Sequence, residues 1–334
     1  LKAARVHTYG PPENLVVDDV PEPSCGPRDV LLEVHAAAVN PVDYKIRHGF
    51  QKAVVRLKLP WILGLDVSGK VVEVGSEVTR FTVGDEVYSS PTHKRPGTYA
   101  EYVAIDADMV AKKPASISHQ EAASIPLVGL TTWESLVVKG KLESGQKLLV
   151  EAGAGGVGSF AIQLGKALGA EVATTCSTRN IAFCKELGAD TVVDYTTQDL
   201  VEALGTKSQD VSYDLMGADH WKTLEAVTRR GGRIVSINMG VPAATKRYGA
   251  TLGVVVAALK AGWWHLSNRV FRGIKSSHAL RPSDGLMLER ISALIDEGKI
   301  KPIVGHVFPL DDIAKAHEQI QTGRTRGKIV IAVR

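Results

Sequence analysis

Lys147-Leu148-Leu149-Val150-Glu151-Ala152-Gly153-Ala154-Gly155-Gly156-Val157-Gly158-Ser159-Phe160 opens the stretch on which the reading of this chain turns. Leu148, Leu149 and Val150 form an apolar, strand-like run, and the glycine turn from Gly153 to Gly158 follows it. Beyond the turn, Phe160, Ala161, Leu164, Lys166, Ala167 and Leu168 recur with helical spacing, and Gly169 stands where a helix C-terminal glycine belongs. A second strand-like run, 172–176, comes at once. Strand, tight glycine turn, helix and strand together are half of a doubly wound nucleotide-binding fold. The glycines serve separate ends. Gly153 allows the sharp exit from the strand, Gly155 lets the backbone approach a pyrophosphate, and Gly158 lets the helix lie close on the sheet. The N–H groups of the helix start, at Gly156 and Val157, then face the anion with the helix dipole behind them. In a chain with 32 glycines such a pattern arises easily by chance. Its position between a strand and a helix of the right length is what marks a dinucleotide site.

The 334 residues suggest two domains, at ~150 residues each. Hydrophobic residues make up 44% and charged residues 23%, which places the chain among ordinary soluble globular proteins. A net charge of +4 without a dense basic run implies neither nucleic acid nor an acidic membrane as a partner. Cys25, Cys176 and Cys184 are odd in number and far apart, so a reducing compartment is expected and a disulfide framework is not. The first nine residues lack the apolar core of a secretory signal. The most apolar stretch, 252–266, is interrupted by Lys260 and is shorter than the ~20 residues a membrane span needs. The expectation is a cytoplasmic protein.

Up to about residue 120 the chain reads as short strands: 30–35, 69–75, 81–88 with a turn at Gly84-Asp85, and 98–104. Pro21, Pro23 and Pro27 punctuate the start of this barrel-like region and Pro114 its exit. Helices are predicted at 120–125 and 132–138. After Cys176 follow helix 179–187, strand 191–194, helix 198–204, strand 211–215, helix 221–227 and strand 233–238, a pattern of parallel strands with right-handed crossovers. Residues 240–280 are apolar and aromatic (Trp263, Trp264, Phe271) with basic residues interleaved. They read as core and interface packing, with substrate gating or a dimer contact as the alternative. An amphipathic helix spans 285–297, and a last strand, 329–333, is expected to return to the first domain. The predicted domains are therefore 1–124 with 272–334, and 125–271.

Six motifs fall in one order along essentially the whole chain. They are Ala38-Val39-Asn40-Pro41-Val42-Asp43, Gly64-Leu65-Asp66-Val67-Ser68-Gly69, Gly84-Asp85-Glu86-Val87, Gly129-Leu130-Thr131-Thr132, the 153–158 turn and a closing Arg326-Gly327-Lys328. In that order the chain resembles a zinc-free medium-chain dehydrogenase/reductase, most closely the quinone oxidoreductase and 2-alkenal reductase branch. The resemblance implies an α/β protein. A GroES-like β-rich catalytic domain would join a Rossmann domain with a doubly wound parallel sheet, with NADPH in the cleft between them, commonly as a homodimer. The positions matching the zinc ligands of zinc-bearing relatives are Asn40, Leu65 with Asp66, and Val128. None carries a thiolate or imidazole, and no cysteine lies between 25 and 176, so no metal is expected. His93 and His119 read as solvated.

Without a Lewis acid, the chemistry rests on hydride donation and on hydrogen-bond donors for the oxyanion that forms. The resemblance places the 40–45 segment at the cleft floor, which makes Asn40, Tyr44 and Lys45 the catalytic candidates. Against this stand an Asp43–Lys45 ion pair and simple packing of Tyr44. An NAD site carries an acid about 20 residues after the first glycine. Here that place reads Thr174-Thr175-Cys176-Ser177-Thr178-Arg179-Asn180, and Ser177, Thr178 and Arg179 suit a 2′-phosphate instead. The resemblance adds Thr131, Tyr195, Asn238 and Arg324 around the cofactor. Glu151 stands close to where phosphates would lie, and nothing in the sequence explains it. The leading reading is an NADPH-dependent reductase of quinones or α,β-unsaturated carbonyls. Its rivals are an enoyl-thioester reductase, with Lys246, Arg247, Arg269, Arg272 and Lys275 receiving a phosphopantetheine arm, and an NADPH-binding structural or RNA-binding protein, which the pI near 8.8 permits.

Overall fold

The computed structural model describes residues 1–334, which form two units: Leu1–Leu130 with Ser283–Gly298 and Pro302–Arg334, and Thr131–Pro282 with Lys299–Lys301. Residues 272–282 stay with the second unit, instead of joining the first, because Lys275–His278 is a strand of its sheet, parallel to Thr228–Ser236.

The first unit is built on the strand Asp29–Val39. It pairs antiparallel with Val67–Val74 on one side, and on the other with Tyr102–Asp106 and Lys328–Ala332. Glu86–Ser89 and Val110–Lys112 extend the sheet one way, and Val304–Pro309 the other. Val30, Leu32 and Val34 point into one apolar cluster with Val71, Phe81, Val87 and Ile105. Ala37 and Val39 join a second with Tyr99, Ile329 and Ile331. The last strand does return to this unit, with Ile329 opposite Val39. Burying Ile329 and Ile331 fully is worth about 1.5–3 kcal/mol each, which ties the chain end down. Two predicted strands are shorter than expected. Gly84, at φ +99°, turns the chain, so pairing begins only at Glu86 while Phe81 packs in the core. Tyr99 and Ala100 lie beside the strand Lys2–Val6, through an Ala3–Ala100 bridge, and the 98–104 run becomes a ladder strand only from Tyr102.

The second unit holds a six-stranded sheet, parallel throughout, in the order Thr191–Asp194, Glu171–Cys176, Lys147–Val150, Gln209–Asp214, Thr228–Ser236, Lys275–His278. Leu148, Leu149, Val150, Val211, Ile234 and Val235 are all buried, as strands covered on both faces require. The strand order reverses between Lys147–Val150 and Gln209–Asp214. The helix predicted at 132–138 is instead Pro126–Trp133, running on into a π-helical segment Glu134–Lys139. Residues 240–280 form helices Val241–Tyr248 and Ala250–Ser267, a π-helical end Asn268–Arg272, and the edge strand. Of the aromatics there, Trp264 is buried, but Trp263 and Phe271 are exposed.

Candidate active site

In the second unit the glycine turn leaves Lys147–Val150 and enters the helix Gly156–Ala167. Ala152, at φ 50°, takes the left-handed conformation where the chain leaves the strand. Gly153 is needed for space, because a Cβ there would lie 2.2 Å from Thr174 Oγ1. Gly158 is as tight, and against backbone, with a Cβ 2.2 Å from the Ala152 carbonyl oxygen. Gly155 differs: its Cβ direction meets nothing nearer than 3.5 Å, which leaves the approach to the helix start open. The first-turn N–H groups, including those of Gly156 and Val157, have no intrahelical acceptor and point out of the helix end.

Glu151, unexplained by sequence, is buried beside this turn, at the end of the first strand and at the point of strand reversal. One of its oxygens meets His220 Nδ1 at 2.8 Å, and the other has no partner. Burial raises the Glu151 pKa, the neighbouring Asp214 adds to that, and the bond to His220 opposes it. The same bond raises the His220 pKa. Asp214, ending the neighbouring strand Gln209–Asp214, accepts from the N–H groups of Met216 and Gly217 and from Trp221 Nε1. His220 thus partners a buried acid beside the glycine turn, and 69 residues separate the two.

At the end of Glu171–Cys176, Thr178 donates its hydroxyl to Asp194 Oδ2 at 2.5 Å. Thr178 is therefore occupied, and the Ser177 hydroxyl accepts from Asn180 Nδ2 at 3.3 Å. Tyr195 is exposed next to them. Asn238 is a loop staple: its side chain donates to the Met216 carbonyl and accepts from Gly240 N–H. Thr131 is buried, with its carbonyl accepting from Ser135 Oγ. Arg324 is an exposed residue of the first unit, after the helix Ile313–Gln321.

In the first unit, the strand Asp29–Val39 passes directly into the helix Pro41–Arg47, with Pro41 at its first position. Asn40 caps this junction and is buried. Its amide donates to Asp66 Oδ2 at 2.9 Å and to the Ala38 carbonyl at 3.4 Å, and its Oδ1 accepts from Lys328 Nζ. Both amide hydrogens face interior acceptors, so Asn40 is not the free donor the sequence suggested. Lys328 Nζ also lies 3.0 Å from Asp66 Oδ2, and Asp66 Oδ1 accepts from Leu127 N–H. Tyr44 and Lys45, further along the same helix, are half-buried. Burial alone lowers the Lys45 pKa, and no carboxylate pairs with it; Asp43 instead accepts from Tyr99 O–H and Asn40 N–H. Burial raises the Tyr44 phenol as well. His119 is not solvated: its Nδ1 meets Ser68 Oγ at 2.8 Å and its ring lies 4.3 Å from that of His35.

Asp43 carries a consequence for stability. Burial, helped by the Asp66 charge, lifts its pKa from 3.8 to about 7, against the bonds from Tyr99 and Asn40. Between those values the folded chain holds a proton that the unfolded chain has lost, so stability declines as pH rises from 3.8 to about 7 and then levels. Asp43→Asn, which keeps an acceptor for both donors, is expected to flatten that slope in urea midpoints measured across this range.

A GroES-like β unit, and a unit whose strand order reverses beside a glycine turn, define a two-unit nucleotide-dependent oxidoreductase class. Residues 26–115 match the Alcohol dehydrogenase GroES-like domain family and residues 187–331 the Zinc-binding dehydrogenase family. The chain is 33% identical over 326 residues to NAD(P)H oxidoreductase RTN4IP1, mitochondrial, of Danio rerio, covering 92% of this chain and 84% of that protein. It is 34% identical over 328 residues to the chloroplastic NADPH-dependent alkenal/one oxidoreductase of Arabidopsis thaliana, covering 95% and 74%. The quinone oxidoreductase from Coxiella burnetii superposes with a TM-score of 0.84 at 34% identity, covering 100% of this chain and 99% of that one. The chain belongs to the medium-chain dehydrogenase/reductase family. Zinc, which one family description carries, does not fit these residues. Asp66 is the one ligand-type side chain among Asn40, Leu65, Asp66 and Val128, and its oxygens already serve Lys328, Asn40 and Leu127. No cluster of three or more histidine, cysteine or acidic side chains able to hold a metal ion exists elsewhere in the chain.

Proposed function

We propose that the protein is an NADPH-dependent reductase of small electron-poor substrates, quinones or α,β-unsaturated carbonyl compounds, and that it works without zinc. The observation that carries this reading is the second unit's strand reversal, with the open face of Gly155 beside it and a second strand that ends without an acid. When bound, NADPH supplies the hydride. The N–H groups of Gly156 and Val157 hold its pyrophosphate, and Ser177 and Arg179 bond its 2′-phosphate. Lys45 donates to the oxygen that gains charge, as a half-buried ammonium with no carboxylate to quench it. The assembly we propose is a homodimer, for which Lys275–His278, the last strand of its sheet, offers an unpaired edge.

Hydrogen bonds to a charged group are worth about 1.5–3 kcal/mol, so kcat/KM should favour NADPH over NADH by roughly ten- to a hundredfold. Arg179→Ala should shrink that gap while leaving NADH kinetics nearly unchanged. Initial rates with a simple quinone and a simple enone test both points. Equal use of the two cofactors sinks the 2′-phosphate assignment. NADPH binding without turnover of either substrate class sinks the reductase and favours a binding role.

A further inference from the structure

The helix Ala250–Ser267 and its π-helical end Asn268–Arg272 bury one side and leave the other bare. Gly253, Ala257, Ala261 and Trp264 face the unit's interior. Opposite them, Leu252, Val255, Leu259, Trp263, Leu266 and Val270 are all exposed, Leu259 by 69% and Trp263 by 65%. They follow one another in steps of three and four, so at ~100° per residue they lie within an arc of about 80°. Phe271, 73% exposed, extends the surface at its end. On the same count Lys260 flanks the stripe on one side and Arg269 on the other, and both are exposed. Exposed Lys246 and Arg247 lie in the adjoining helix. No acidic residue occurs between Glu225 and Asp284.

We infer that this stripe is a docking surface for a lipid bilayer that carries anionic headgroups. A large aromatic and aliphatic face edged by lysine and arginine is the composition of helices that lie in the membrane interface. Exposed tryptophan and phenylalanine suit the headgroup boundary. A second copy is the obvious rival occupant, and charge argues against it. A two-fold interface would set the stripe against itself and bring Lys260, Arg269 and their basic neighbours face to face with no acid to balance them. An anionic surface neutralises the same charges, each lysine or arginine near it adding roughly fivefold to binding. No helix of the protein is long and apolar enough to cross a membrane, so the attachment is peripheral. This departs from the sequence expectation that no membrane partner exists, which rested on the small overall net charge. The charge is local.

The test is co-sedimentation of the full chain with vesicles of phosphatidylcholine alone and of phosphatidylcholine with phosphatidylglycerol. Wild-type protein is expected to pellet with the anionic vesicles, at least tenfold more strongly than with the neutral ones, and to be released by high salt. Leu259→Glu/Trp263→Glu should abolish pelleting. Lys260→Glu/Arg269→Glu, which also removes the Lys260 ammonium from above the Trp221 ring, should lower it tenfold or more. NADPH affinity, read by fluorescence, should stay at the wild-type value in both variants, which shows that they fold. The readout needs no turnover, so it stands apart from the reductase assignment. Wild-type protein that stays in solution, or pellets equally with neutral vesicles, overturns the inference. So does a Leu259→Glu/Trp263→Glu variant that pellets normally but loses self-association in sedimentation equilibrium, for the stripe is then a contact between copies.

Discussion

Lys328→Met is expected to destabilise the protein by about 3–5 kcal/mol, the usual cost of breaking a buried ion pair from one side. The ammonium is almost fully enclosed and lies against Asp66, which is completely buried. Methionine fills a similar volume but leaves the Asp66 carboxylate uncompensated and the Asn40 Oδ1 without its donor. A companion variant separates charge from packing. In Lys328→Met/Asp66→Asn both charges are gone, an amide oxygen at 66 still accepts from Leu127 N–H, and the Asn40 amide can turn to accept from the new one. Most of the lost stability should return, because exchanging a buried pair for neutral groups is often close to neutral. Urea denaturation of the wild type, both single variants and the double variant gives the coupling energy directly. A Lys328→Met protein as stable as wild type, or a double variant no better than the single, means that the ammonium is not held where Asn40 and Asp66 place it.

This cluster also marks the limit of what sequence can reveal. Both of its ends are visible as motifs, Gly64-Leu65-Asp66 and Arg326-Gly327-Lys328, but 262 residues separate them. Only the antiparallel register that sets Ile329 against Val39 brings Lys328 beside Asn40. Glu151 and His220 pose the same problem, since two strands must lie side by side before the histidine reaches the acid. The parallel sheet is legible because its signals are local: a glycine turn, helix stops at Gly169 and Gly188, and apolar runs buried on both faces. The 240–280 segment misleads for the opposite reason. Apolar content alone suggests packing, whereas helical phase divides Trp264, which is buried, from Trp263, which is not.

Lys45→Met should lower kcat and kcat/KM by similar factors of ~10²–10³, the typical loss when a donor to a developing oxyanion is removed. Hydride arriving at a quinone or at the β-carbon of an enone leaves negative charge on the carbonyl oxygen. A donor that meets that oxygen mainly in the transition state lowers the barrier without tightening substrate binding. Of the three donors that the 40–45 segment offers, Asn40 is turned inward and Tyr44 has no charge to give. Lys45 stands on the helix Pro41–Arg47 with a pKa lowered by burial alone, and Asp43, two residues before it, accepts from Tyr99 and Asn40. A half-buried cation without a partner is costly to keep unless something arrives to use it. Steady-state kinetics at saturating NADPH, with cofactor affinity measured separately, decide the point. If Lys45 binds a phosphate of the cofactor, the variant loses NADPH affinity and keeps most of its kcat. If both parameters stay at wild-type values, Lys45 is an ordinary lysine and the oxyanion must find its donor elsewhere.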